Sequence, residues 1–78
     1  LEEATALAER AVQLASQLED VGLLAPALDT LGWTYCKRGL FAEALPHLER
    51  AVSLSDEALL TQDHLEFCRQ RLGLTPAA

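Results

Sequence analysis

The chain has 78 residues, 17 of them Leu and 13 Ala, with three Val and no Ile; that leaves too few β-branched residues for a sheet and points to helices throughout. Six Lys and Arg stand against twelve Asp and Glu, a net charge of −6, and the basic residues are scattered, which argues against a surface that tracks nucleic-acid phosphates. No apolar run approaches the roughly 20 residues of a membrane span, and a chain this short forms one small domain burying roughly 60% of its extended surface, too little for a cleft walled by a second layer.

The first predicted helix covers residues 2–18, where Ala4, Ala8, Ala11 and Ala15 make a narrow stripe with Leu7, Leu14 and Leu18 beside it. The second covers 23–38, with Leu24, Leu28, Leu31 and Tyr35 on one face. Lys37 and Arg38 suit the negative end of its dipole, and Gly39 stops it. The third covers 42–54 and carries Ala44, Leu45, Leu48, Ala51, Val52 and Leu54; Pro46, near its first turn, is expected to bend it slightly without breaking it. Ser55 and Asp56 are the expected N-cap region of a fourth helix over 57–72, which ends at Gly73 ahead of Pro76. Residues 75–78 are expected to form a short frayed tail. The two cysteines, Cys36 and Cys68, lack the Cys-x-x-Cys spacing and read as reduced thiols in a domain not built on disulfides. A cytoplasmic setting is expected, and because the chain begins with Leu1 rather than Met, sequence ahead of it is expected to have been removed.

The chain also repeats itself, which is the mark of units that bury their faces by stacking. Residues 2–14 align with 42–54 at an offset of 40, sharing Glu3/Glu43, Ala4/Ala44, the run Glu9-Arg10-Ala11-Val12 with Glu49-Arg50-Ala51-Val52, and Leu14/Leu54. Residues 30–40 align with 64–74 at an offset of 34, sharing Leu31/Leu65, the aromatics Trp33/Phe67, Gly39/Gly73 and Leu40/Leu74. Two kinds of helix therefore alternate, B-A-B-A.

Residues 25–58 resemble a tetratricopeptide repeat. Leu28, Leu31-Gly32 and Tyr35 match the pattern of its first helix, and Ala44, Leu48 and Ala51 that of its second; Gly39 and Phe41 match the turn between them, while the closing Pro of the pattern is Asp56 here. The small residues have a physical reason: Gly32 and Ala44 let the two helices approach closely, and Leu28, Tyr35 and Leu48 fill the remaining volume. The resemblance implies an all-α fold, an α-α superhelix of four antiparallel helices over residues 1–74. It would hold the B helix of a preceding repeat at 2–18, a full repeat at 25–58 and a capping helix at 57–72. In the fourth helix Gln62, Glu66 and Arg69 stand where Leu28, Gly32 and Tyr35 stand in the second, a polar outer face suited to ending the array; Ala58, Leu65, Cys68 and Leu72 are its expected inner face. The first helix has nothing upstream to cover its alanines. Either the chain is the C-terminal piece of a longer array, or Ala4, Ala8, Ala11 and Ala15 pair with a second copy.

Function follows from the same resemblance. Such arrays are non-catalytic scaffolds that receive a partner's peptide or helix in a concave groove lined by the A helices. Asp29, Trp33, Cys36 and Lys37 of the second helix are the groove candidates, with Asp63, Phe67, Gln70 and Arg71 of the fourth. They would form an apolar floor with an acidic lip, fitted to a bulky apolar anchor beside a basic residue. The alternative is that Trp33 and Phe67 simply pack the A helices together. Family members that grip a terminal carboxylate use Lys, Asn and Arg in the groove; Asp29 and Asp63 occupy those places here and argue against such a clamp. For catalysis, His47 and His64 are the only histidines, and no spacing supplies a nucleophile, base and orienter. His47, Glu43 and Glu49 read as a solvated helix face. His64 and Cys68 stand four residues apart, and Cys36 is an imaginable third ligand, but no fourth is identifiable, so no metal is expected and His64 reads as a partly buried residue beside a core Cys. Each glycine stands alone, so there is no phosphate-cradling loop. No cofactor, nucleic-acid partner or membrane is expected; the structural alternative is a segment that caps or dimerises a larger protein through its N-terminal helix.

Overall fold

Four helices account for most of the chain: α1 (Glu2–Gln17), α2 (Val21–Lys37), α3 (Phe41–Leu54) and α4 (Leu59–Leu72). The structure is a computed structural model that describes residues 2–55 and 58–74. The expected tail at 75–78, together with Asp56 and Glu57, lies outside the described residues.

The junctions are built from helix-end chemistry. At the end of α2, Gly39 takes φ +77°; its N–H donates to the Cys36 carbonyl and that of Leu40 to the Tyr35 carbonyl, the paired closure that satisfies the last carbonyls of a helix. Gly73 (φ +73°) ends α4 in the same way, with Gly73 and Leu74 donating to Gln70 and Arg69. α1 uses this closure too, with Glu19 and Asp20 donating to Ser16 and Ala15, but the left-handed position is held by Glu19 at φ +55°. Asp20 then caps α2, its carboxylate accepting from the Leu23 N–H at 3.2 Å. This cap starts α2 at Val21, two residues before the expected boundary. Of the expected cap region, Ser55 lies at the C-cap of α3 and Asp56 is outside the described residues; α4 begins after Ala58, whose side chain makes no cap hydrogen bond. Pro26 and Pro46 each fall six residues into their helices, exposed, and neither interrupts the helix.

α2 is the central element. It buries Leu24, Ala25, Leu28, Leu31, Gly32 and Cys36, where α3 and α4 bury three residues each, and it packs against α1, α3 and α4. Leu24 and Leu28 cluster with Ala15 of α1 and Ala51 of α3. Cys36 clusters with Ala44 and Leu48 of α3 and with Leu65 and Cys68 of α4. Arg38 at the end of α2 donates to the buried Thr5 hydroxyl at 3.2 Å, pinning the start of α1. Between α2 and α3 the backbones approach closely at Gly32, where a Cβ would lie 2.6 Å from Cγ of the fully buried Leu48.

The first helix departs from its expected surface. Ala8 and Ala15 are buried, with Thr5, whereas Ala4 and Ala11 are exposed, so the four alanines do not form one open stripe. Leu7, Leu14 and Leu18 are 71%, 50% and 69% exposed, and with Ala4 and Ala11 they make an apolar face that no helix among the described residues covers. The four alanines share one arc of about 60° on the helix, and the edge of the contact runs through it: α2 covers only the side carrying Thr5, Ala8 and Ala15.

Gly32→Ala is expected to destabilise the fold by about 1–3 kcal/mol despite its better helix propensity, because the added methyl must displace Leu48; urea denaturation checks it, and an unchanged midpoint would refute the close approach. Glu19→Gly is expected to stabilise by about 0.5–1 kcal/mol by relieving the left-handed residue. Gly39→Ala should shift the same midpoint the opposite way.

Candidate functional site

The helices α2 and α4 run parallel, and their contact is made by the residues that the repeat offset brings level. Asp29 sits on the third turn of α2 and Trp33 one turn later, one face of one helix. His64 of α4 stacks flat on Trp33, with ring centroids 4.1 Å apart and planes 11° apart, and its Nδ1 donates to Asp29 Oδ1 at 2.8 Å. Phe67 meets Trp33 edge-on at 5.6 Å and Phe41, at the start of α3, at 6.1 Å. Arg71 lies over both phenylalanines, its guanidinium 5.5 Å from the Phe41 ring and 5.8 Å from that of Phe67, a cation held against aromatic faces.

The candidate groove residues divide into three groups. Trp33 and Asp29 are partly buried and engaged in the α2–α4 contact. Phe67 is 39% exposed, and Lys37, Asp63, Gln70 and Arg71 are exposed around it. Cys36 is 5% exposed and belongs to the core, a correction to its place among the groove residues: α4 packs over the flank of α2 that carries it. The arrangement is a ridge of stacked rings, half sunk between two helices, with carboxylates at one end and cations at the other.

Two histidines also change place. His64 bears on Trp33 and Asp29 rather than mainly on a core cysteine, and sequence reasoning missed the pair because nothing local links residues 35 apart. The repeat offset was the available signal, since it brings Asp29 level with Asp63, the neighbour of His64. His47 is not on a solvated face: it stacks against Tyr35 at 5.6 Å and is partly buried. Burial lowers its pKa, aided by Arg50 and opposed by Glu9. Glu43 and Glu49 are exposed, and Glu49 lies 3.8 Å from Arg69 of α4.

Both thiols are free and buried. Cys68 donates to the Phe41 carbonyl at 3.2 Å, and burial pushes its pKa up. Burial pushes Cys36 up from 9.0 to about 12, with Cys68 and Asp29 adding to the rise. Among the described residues no three His, Cys, Asp or Glu side chains converge where an ion could be held. No helix among them is long and apolar enough to cross a membrane.

Because the folded chain holds the Cys36 proton more tightly than the unfolded one, its contribution to stability is complete below about pH 9 and is lost as pH rises toward 12. Iodoacetamide at pH 8.5 is therefore expected to leave the native protein unlabelled within the time that urea-unfolded chain takes two adducts, as mass spectrometry would count them; rapid native labelling would refute the burial of both thiols.

No curated protein and no solved structure is a significant match to this chain. A family model described as tetratricopeptide repeat matches residues 1–57, a span that takes in α1, α2 and α3 and the close approach at Gly32. The chain belongs to the tetratricopeptide repeat family.

Proposed function

We propose that the chain is a non-catalytic recognition module that seats a segment of a partner protein on the α2–α4 groove, with Trp33 and Phe67 as the apolar floor. The observation that carries this reading is the part-exposed aromatic ridge. Phe67 keeps 39% of its surface open although it touches Trp33 and Phe41, and exposed aromatics ringed by charge are the usual anchors of recognition surfaces. Asp63, Gln70, Lys37 and Arg71 supply the polar rim. Membership of a family of interaction scaffolds supports the same class of role.

A second reading rests on the other side of the molecule. The exposed Leu7 and Leu14 of α1 and Leu18 just beyond its end favour a structural role in which this helix joins a neighbouring helix or a second copy, with no partner in the groove.

Phe67→Ala and Leu14→Glu separate the two. Peptides selected from a displayed library on the wild-type chain are expected to lose at least about tenfold in affinity on Phe67→Ala, with its melting temperature within about 5 °C of wild type, and to bind Leu14→Glu unchanged. Equal binding to Phe67→Ala would overturn the groove reading. A concentration-dependent dimer in sedimentation equilibrium, abolished by Leu14→Glu, would support the structural one.

A further inference from the structure

Positions related by the 34-residue repeat carry matched chemistry at three levels of the groove: Asp29 and Asp63, Trp33 and Phe67, Lys37 and Arg71. Each set lies four residues beyond the last, on one face of its helix and about 6 Å further along the axis. Asp29 faces His64, and Trp33 faces His64 and Phe67, so the two helices ascend together and the levels coincide across the groove. Acid stands at the N-terminal end, rings in the middle and cations at the C-terminal end.

The cationic end is organised in advance. Cation–π contact with Phe41 and Phe67, 5.5 and 5.8 Å from the two ring centroids, holds the guanidinium of Arg71 in place, and as an exposed side chain it can still meet a carboxylate through its N–H groups. Lys37 is exposed in the last turn of α2. At the other end Asp63 is exposed while Asp29 is occupied by His64, so Asp63 carries the acidic contact. The net charge of −6 disfavours a wholly acidic segment, and the two cations disfavour a wholly basic one.

On the reading that this groove seats a partner segment, we infer that the segment is bipolar: an extended stretch with a basic, an apolar and an acidic side chain at alternate positions, the basic one at Asp63 and the acidic one between Lys37 and Arg71. Side chains on one face of an extended chain recur about every 6.6 Å, close to the spacing of the three levels, so five residues are the shortest stretch that meets all of them. Either chain direction satisfies the charges, since reversing the strand exchanges only the order in which they are read.

Three end-blocked peptides test this against the 15N-labelled 78-residue chain: Gly-Lys-Ser-Leu-Ser-Glu-Gly, the same peptide with Lys in place of Glu, and the same peptide with Glu in place of Lys. Amide shifts of residues 29–37 and 63–71 report binding at constant ionic strength. The bipolar peptide is expected to bind about fivefold more tightly than either of the others. The double variant Lys37→Glu/Arg71→Glu should reverse the order and prefer the two-lysine peptide. Should that variant unfold, Lys37→Glu alone, at an exposed side chain, should shift the order in the same sense. Equal affinities for all three peptides would overturn the bipolar inference while leaving the groove reading in place; absence of any shift at millimolar peptide would overturn both.

Discussion

The rest of the structure hangs on the contact between Gly32 and Leu48. A side chain at position 32 would put a carbon 2.6 Å from a leucine that is wholly buried, so the missing Cβ allows α3 to lie against α2 at a separation few other residues would permit. With α3 held there, Ala44 and Ala51 are buried as well, because the same close approach leaves room for methyl groups only. α4 then packs on both α3 and α2, and its partly exposed aromatic face is brought up to Trp33. Loosening the first contact would spread the second, so the groove depends on a glycine that contributes no surface to it.

The aromatic side chains between α2 and α4 combine packing with exposure. Trp33 is committed on one side to His64 and Phe67, yet it and its neighbours are not closed over. Aromatic rings suit such a half-open position, since they bury large area against one another at little conformational cost. The Asp29–His64 hydrogen bond holds the two helices in register, which places like residues of successive repeats at matching heights. The charge pattern of the groove is therefore a product of repetition: two copies of acid, ring and base, laid side by side.

The opposite side shows how a repeat protein differs from a closed globule. α1 buries Thr5, Ala8 and Ala15 against α2 but leaves Leu7 and Leu14, and Leu18 just after it, in solvent. Each unit has two faces, and stacking covers one with the next unit. Thr5 shows the covered face at work, since its hydroxyl ties α1 to Arg38, a residue that otherwise belongs to a turn.

Much of this was legible beforehand. The four helices, the turns at Gly39 and Gly73, and the close approach of the second and third helices at Gly32 and Ala44 all rest on local spacing and on the match between repeats, which a single chain carries in full. The side of each helix that a neighbour covers was not. Cys36 passed for a groove residue because it shares a helix with Trp33, and the four alanines of α1 passed for one stripe because their spacing is regular. His47 and His64 were read without their partners, Tyr35 and Asp29. In each case the deciding quantity is the position of a second helix, set by crossing geometry and side-chain volume summed over the whole core. The sequence by itself determined where the helices run and which residues allow close approach; only their packing decided which faces are core, which rings stack, and how acid and base are arrayed along α2 and α4.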